Sequence, residues 1–242
     1  MTELSSTAMV LAAGLGTRMR PMTLTKPKPL QIVGGKTMLD HALDKLVGAG
    51  IKRAMVNCFY LADQIEAHLK TRTDIEIIIS REVELLDTGG GILKALPHFG
   101  GKPFFALNAD LPWLDGPVPS LIRMQKAWNA THMDALLLLM RTDKARGFIA
   151  TGDFAMDQTG RVWRKDVQPP RPFVWISAQI LKPELFADPP GKIFSNNHVW
   201  NLAEANNRLS GIEHDGTCYH VGTPEDWRIA NDLLASGKGW RV

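Results

Sequence analysis

A chain of 242 residues, 45% hydrophobic and 22% charged with a formal charge of +3, has the make-up of an ordinary globular protein, and one domain with a small elaboration is expected. That charge is modest, and outside residues 18–28 the basic side chains are scattered, which excludes the broad basic face of a nucleic-acid binder. Even an uninterrupted apolar run such as Ala135 to Met140 falls far short of the roughly 18 residues that cross a bilayer. No basic residue precedes the first apolar stretch, as a secretory signal requires, and Cys58 and Cys218 lack C-x-x-C spacing, which suits reduced thiols in a cytoplasm. The seven histidines form no recognisable zinc spacing.

In chain order, residues 8–12 read as a buried strand that runs into a Gly14-Leu15-Gly16 turn. Arg18, Arg20, Lys26 and Lys28 follow, spaced by prolines. Glycines let backbone N–H groups approach a phosphate closely, and cations just beyond them neutralise the remaining charge, so a polyphosphate ligand is expected. Two better-known phosphate loops fail. A dinucleotide fingerprint needs a third glycine where Met19 stands, and the Gly34-Gly35-Lys36-Thr37 segment lacks the P-loop glycine at Leu30.

Thr37 precedes Met38, Leu39, Ala42, Leu43, Leu46 and Val47 at helical spacing, with Asp40 placed for a capping box and Gly48 and Gly50 closing the helix. Arg53 to Asn57 reads as a strand, Leu61 to Leu69 as a helix and Ile75 to Ser80 as a strand. This β-α-β-α-β order with apolar strands predicts a mostly parallel sheet covered on both faces, with ligands beyond the strands' carboxyl ends. Glu82 to Asp87 is an acidic loop before Thr88-Gly89-Gly90-Gly91 and a short helix to Leu96. The three glycines read either as a flexible turn or as backbone kept bare for a close ligand.

Phe104 to Leu107 is the next strand, ending in Asn108-Ala109-Asp110. A carboxylate there sits on the ligand edge and makes Asp110 a candidate Mg²⁺ ligand, since Mg²⁺ takes one or two carboxylates plus phosphate oxygens; an Asp that merely starts the turn into Leu111-Pro112 is the other reading. Val118 to Trp128 reads as a helix and Ala135 to Met140 as a central strand. Between 142 and 172 the alternation stops, and short antiparallel strands around 147–156 and 161–164 are expected as a flap, or as a plain hairpin turning at Asp157 to Gly160. Trp175 to Leu181 returns to the sheet. His198 to Leu209 is amphipathic in its early part, with Val199, Leu202 and Ala203 on one side, and Thr223 with Pro224 caps a last helix.

G-x-G-T-R followed by P-K-P-L resembles the signature of the sugar-1-phosphate nucleotidyltransferases, which join a nucleoside triphosphate to a sugar 1-phosphate and release pyrophosphate. The resemblance implies their Rossmann-like α/β fold. Without hexapeptide repeats after residue 223, no C-terminal β-helix is expected. It implies catalytic roles for Lys28, bridging the two substrates' phosphates, and Arg18, on the departing pyrophosphate; Arg20 and Lys26 are read as solvated or supporting. Nucleotide binding falls to Leu11, Ala12, Ala13, Gly14, Gly16, Thr17, Thr88, Gly89 and Asn108, with the L-D-T-G-G-G-I segment lying against base and ribose. Sugar contacts fall to Gly152, Asp153 and Ser177, although Ser177 stands where the family has glycine. Asp110 binds Mg²⁺, and His220 stands where the family has a second metal-binding Asp, so it reads either as a neighbour of the metal or as a strand residue that never meets it. L-D-T-G-G-G-I-x-K-A-L-P with G-D-F resembles the short bacterial uridylyltransferases acting on N-acetylmuramate 1-phosphate in cell-wall recycling. Other acceptors or nucleotides (mannose or heptose 1-phosphate with GTP, phosphocholine with CTP) and a non-catalytic nucleotide-sugar sensor stand as alternatives. The partners implied are a nucleoside triphosphate and a sugar 1-phosphate, with neither nucleic acid nor membrane; oligomeric state is not legible.

Overall fold

The computed structural model describes residues 3–148, 151–164, 167–168 and 170–236. In chain order the elements are β1 (Thr7–Leu11), β2 (Ile32–Val33), β3 (Lys36–Thr37), α1 (Met38–Gly48), β4 (Arg53–Cys58), α2 (Ala62–Leu69), β5 (Glu76–Arg81), α3 (Asp87–Ala95), β6 (Phe104–Asn108), β7 (Trp113–Leu114), α4 (Ser120–Ala127), β8 (Ala135–Arg141), β9 (Ala155–Met156), β10 (Val162–Trp163), β11 (Phe173–Leu181), α5 (Asn197–Ala205), β12 (Leu209–Glu213), β13 (Thr217–Cys218) and α6 (Pro224–Ala235).

Seven strands form one sheet in the order β12-β8-β11-β6-β1-β4-β5. Only β11 runs antiparallel, between β6 and β8. The sheet is therefore mostly parallel, as the alternation of strands and helices predicts. Successive β1 side chains go to opposite faces: Ala8 and Val10 join a core with Leu39, Leu43 and Leu46 of α1 and Ile65 of α2, whereas Met9 and Leu11 join one with Ile92 of α3, Phe99, Phe104 and Val199 of α5. Each fully buried Leu, Ile or Phe contributes roughly 1.5–3 kcal/mol, so the two-sided burial is what holds β1 at the centre. From β1 the chain moves outward to β4 and β5, then crosses back to place β6 on β1's other side. Such a reversal opens a crevice beyond the carboxyl ends of the two strands, and Leu11 and Asn108 end there.

Helix α1 starts as its sequence requires: Thr37 Oγ1 accepts the Asp40 N–H at 3.0 Å, and Gly50 at φ +79° ends it. A full capping box links Thr223 and Asp226 at the start of α6, with Pro224 in its first turn.

Three expectations need correction, and one rejected motif finds its place. Gly89-Gly90-Gly91 is neither turn nor loop but the middle of α3. Gly34 and Gly35, both at positive φ, are the turn of the β2–β3 hairpin. Leu209, read as the end of the stretch begun at His198, instead opens a strand, Leu209–Glu213, that pairs in parallel with β8 at the sheet edge. In α5 the buried stripe is Val199, Trp200 and Ala203, while Leu202 is exposed. The flap reduces to the two-residue strands β9 and β10, joined by a turn with Gly160 at φ +83° and docked on β12 through the Gly211 N–H donating to Gly160 O. Ile149, Ala150, Lys165, Asp166 and Pro169 of the expected flap lie outside the described residues. Among the described residues no helix is long and apolar enough to cross a membrane.

Candidate active site

The two glycines after β1 differ in function. Gly16 is left-handed at φ +60°, and a Cβ there would stand 3.0 Å from Lys28 Cβ and 3.1 Å from Thr23 Cγ2. Thr23 Oγ1 donates to Gly16 O at 2.8 Å. Only glycine meets both demands, and the close fold of the loop onto residues 23–28 carries Lys28 underneath it. Gly14 is exposed and has nothing within 4 Å of its would-be Cβ, which leaves its backbone open to a ligand.

Lys28 is buried, yet its Nζ reaches Asp110 Oδ2 at 2.7 Å. Although burial pulls the Asp110 carboxyl upward, Lys28 outweighs it and holds the group below the usual carboxylate range. His220 lies alongside. Burial first, and then Lys28, lower its pKa against the opposing pull of Asp110, so the imidazole is neutral at neutral pH. Its backbone N–H donates to Arg146 O at 2.8 Å, its ring packs against Phe148, and its Nδ1 is buried without a partner among the described residues. A Cβ on Gly222 would stand 2.9 Å from His220 Nε2 and 3.4 Å from Arg18 Nη1, so the glycine of V-G-T-P gives both side chains room.

Arg18, Lys28 and Asp110, but not His220, line a cavity of about 510 Å³ together with Leu11, Ala12, Ala13, Gly14, Gly16, Thr17, Thr88 and Asn108. Most of the residues singled out in the sequence thus meet in one place. Three of the others do not line it. The Gly89 N–H donates to Phe194 O at 2.8 Å, and a Cβ there would fall 2.5 Å from the Phe194 ring; this glycine is dictated by helix-to-loop packing, not by a nucleobase. Ser177 is fully buried, with its hydroxyl on the Asn108 backbone, so its side chain cannot touch a sugar. Gly152, at φ +61°, lies against the Arg171 backbone. Asp153 borders a second cavity adjoining the first; burial raises its pKa against the Trp175 N–H, Arg164 and Arg171.

Sequence reading missed Asn57. It ends up almost fully buried on the cavity wall, accepting the Ala12 N–H at 2.7 Å and donating to Glu82 Oε1 at 2.7 Å. Glu82 Oε2 in turn accepts the Leu86 N–H. This relay ties the end of β1 to the loop before α3. A polar residue among the apolar residues of β4 was the one available signal.

Among the described residues no cluster of three or more His, Cys, Asp or Glu forms a protein-only metal cage. Two carboxylates line the cavity, Asp87 and Asp110; the one beside Lys28 is Asp110, its side chain 38% exposed. That fits Mg²⁺, a hard ion that takes one or two carboxylates and completes its octahedron with phosphate oxygens and water; a neutral imidazole suits it poorly.

Residues 8–161 match the MobA-like NTP transferase domain. Over 240 residues the chain is 41% identical to the N-acetylmuramate alpha-1-phosphate uridylyltransferase of Caulobacter vibrioides, spanning 97% of this chain and 99% of that one. Over 236 residues it is 33% identical to the protein of the same name from Neisseria meningitidis serogroup B, spanning 96% and 99%. A putative glucose-1-phosphate thymidylyltransferase from Bacillus anthracis shares the fold, with a TM-score of 0.77 at 17% identity over 94% of this chain and 95% of that one. With its glycine turn folded onto a buried lysine and that lysine paired to an aspartate at the sheet's crevice, the chain belongs to the MobA-like NTP transferase family.

Proposed function

We propose that this nucleotidyltransferase transfers the uridylyl group of UTP to N-acetylmuramate 1-phosphate, giving the UDP-sugar and pyrophosphate. The near-full-length similarity to two uridylyltransferases of that name carries the choice of substrates. The Lys28–Asp110 pair at the mouth of β1 and β6 carries the choice of residues. Cell-wall recycling in the cytoplasm, where both substrates and two unpaired buried thiols are at home, is part of the same reading.

A phosphate oxygen of the sugar 1-phosphate attacks the α-phosphorus in line. A P–O bond forms there as the bond to the β-phosphate oxygen breaks, and pyrophosphate leaves. The second pKa of a phosphate monoester is near ~6, so the nucleophile is already ionised and needs no general base. The chain's task is to hold two polyanions together and stabilise the charge that develops between them. The buried Lys28 ammonium reaches both phosphates as its bond to Asp110 loosens. The open amides of 14–17 and the exposed Arg18 receive the leaving phosphates. Asp110, and not His220, would hold Mg²⁺, which would neutralise phosphate charge there.

Pyrophosphate release across four nucleoside triphosphates and several sugar phosphates tests the assignment; no turnover with any pair would leave only a nucleotide-sugar binder. Lys28→Ala should lower kcat by about 10²-fold, roughly 2.7 kcal/mol, with UTP binding largely kept. A raised KM at unchanged kcat would reduce the lysine to a binding residue.

A further inference from the structure

Beside the nucleotide cavity lies a second one of about 330 Å³, sharing Asp87 and Thr88 with it. At its other end stand Arg164 and Arg171, which also line a third cavity beside the flap. The second cavity is thus joined to the first through Asp87 and Thr88 and to the third through the two arginines.

Arg164 is held rigidly. Its Nη1 donates to Asn197 Oδ1 at 2.7 Å, and its Nη2 to Asn197 O at 3.0 Å and Asn201 Oδ1 at 2.6 Å. Its Nε donates to Asn201 Oδ1 at 3.3 Å, and its guanidinium lies 5.7 Å from the ring centres of both Phe154 and Trp200. Four of its five N–H groups are thereby taken, all by neutral partners. Arg171 donates Nε to Val167 O at 3.0 Å. Neither guanidinium has a carboxylate within ion-pair distance among the described residues. Burial lowers the Arg164 pKa most; Glu204 pulls it back up, Arg171 pushes it down again and Asp153 raises it. The cavity's own carboxylates are Asp153, whose Oδ2 accepts the Trp175 N–H at 3.0 Å, and Asp87 at the nucleotide end, whose Oδ1 accepts the Thr88 N–H. A second feature points to a ligand. Asn196 lines this cavity, is 2% exposed, and has neither carboxamide atom partnered among the described residues. A buried amide left open in this way costs about 1–3 kcal/mol unless something polar enters.

From this placement we infer that Arg164 and Arg171 form a carboxylate subsite for the acceptor sugar, with Asn196 beside them for a neutral polar group of the same ligand. The inference rests on the uridylyl-transfer reading for its substrate. N-acetylmuramate carries an ether-linked lactyl carboxylate and an acetamido group, whereas N-acetylglucosamine is the same sugar without the lactyl ether. With the 1-phosphate at Lys28, the subsite places the carboxylate at the arginine end, where the Nη groups of Arg171 and the one remaining N–H of Arg164 are the donors for its two oxygens.

The test compares kcat/KM with UTP for N-acetylmuramate 1-phosphate and N-acetylglucosamine 1-phosphate in the unaltered enzyme and in Arg171→Gln. The ratio of the two values should fall about 10- to 100-fold in the variant, the range set by hydrogen bonds to a charged group. An unchanged ratio would overturn the subsite, even if both activities dropped. Turnover of the glucosamine acceptor reports that the variant is folded. Should the unaltered enzyme use neither acceptor, the transfer reading fails, and quenching of Trp175 and Trp200 fluorescence by unphosphorylated N-acetylmuramate and N-acetylglucosamine then decides the subsite by itself. About tenfold tighter binding of the acid, lost in Arg171→Gln, supports it; equal affinities overturn it.

Discussion

Ser177 offers a perturbation whose size can be worked from the structure. In the β6–β11 register Ala178 faces Leu107, so residue 177 should face Asn108 and pair with it through the backbone. It does not, because Ser177 turns to φ +80° where β11 changes register between Trp175 and Gln179. Its side chain substitutes for the missing ladder: Ser177 Oγ accepts the Asn108 N–H at 3.0 Å and donates to Asn108 O at 2.9 Å. A left-handed non-glycine residue costs about 1–2 kcal/mol, and two hydrogen bonds to buried backbone contribute about 1 kcal/mol each, more when the groups are left unpaired. Ser177→Ala keeps the strain and loses both bonds, so it should destabilise by about 2–4 kcal/mol. Ser177→Gly loses the bonds and relieves the strain, so it should destabilise about 1 kcal/mol less. Urea unfolding followed by circular dichroism measures both. Because Asn108 leads directly into Asp110, kcat should fall by more than KM rises in either variant. An alanine variant as stable as the unaltered protein, or more stable than the glycine variant, would refute the account.

Gly90→Ala should lower the melting temperature by the equivalent of about 2–3 kcal/mol despite alanine's better helix propensity, because a Cβ there runs into the Lys192 carbonyl oxygen; a raised melting temperature would contradict the packing argument. Asp110→Ala should abolish nearly all Mg²⁺-dependent pyrophosphate release, whereas His220→Ala should cost at most about tenfold, or ~1.4 kcal/mol. Equal damage from the two, with Mn²⁺ or Co²⁺ far outperforming Mg²⁺, would make the imidazole a ligand. Asp115 is depressed below its ordinary value: burial pulls it up, but the Lys45 ammonium at 2.5 Å and Ser120 outweigh burial. Its contribution is therefore present above the unfolded carboxyl value near ~4 and disappears as pH falls through the lower folded value. The stability gap between the unaltered protein and Asp115→Asn, about 2 kcal/mol near neutrality, should close below that range in urea titrations. Cys58, pushed up to about 11 by burial and by Glu66, and the fully buried Cys218 should react slowly with thiol reagents at neutral pH until the protein is unfolded.

Local chemistry determined what neighbouring residues can decide by themselves. The unbroken apolar run of Ala8, Met9, Val10 and Leu11 required a strand buried on both faces. Thr37 with Asp40 and Thr223 with Asp226 set helix starts, and the glycine turn with Lys28 and Asp110 at a strand end marked the phosphate edge before any contact was known. What only the tertiary structure decided depends on partners far apart along the chain. Nothing in Leu209–Glu213 announces that it will run parallel to β8, because an edge position belongs to the sheet order and not to the segment. Three glycines in a row look like a turn until the chain at Lys192–Phe194 packs on Gly89 and Gly90, and Asn57 on Gly91, so closely that no side chain fits. Ser177 reads as a departure from a family glycine until Asn108, 69 residues away, needs its hydroxyl. Arg164, Arg171 and Asn196 carry no common spacing, since a cavity wall is assembled from flap, loop and helix N-terminus, and the period of a strand or helix records only the face that one element turns to the core.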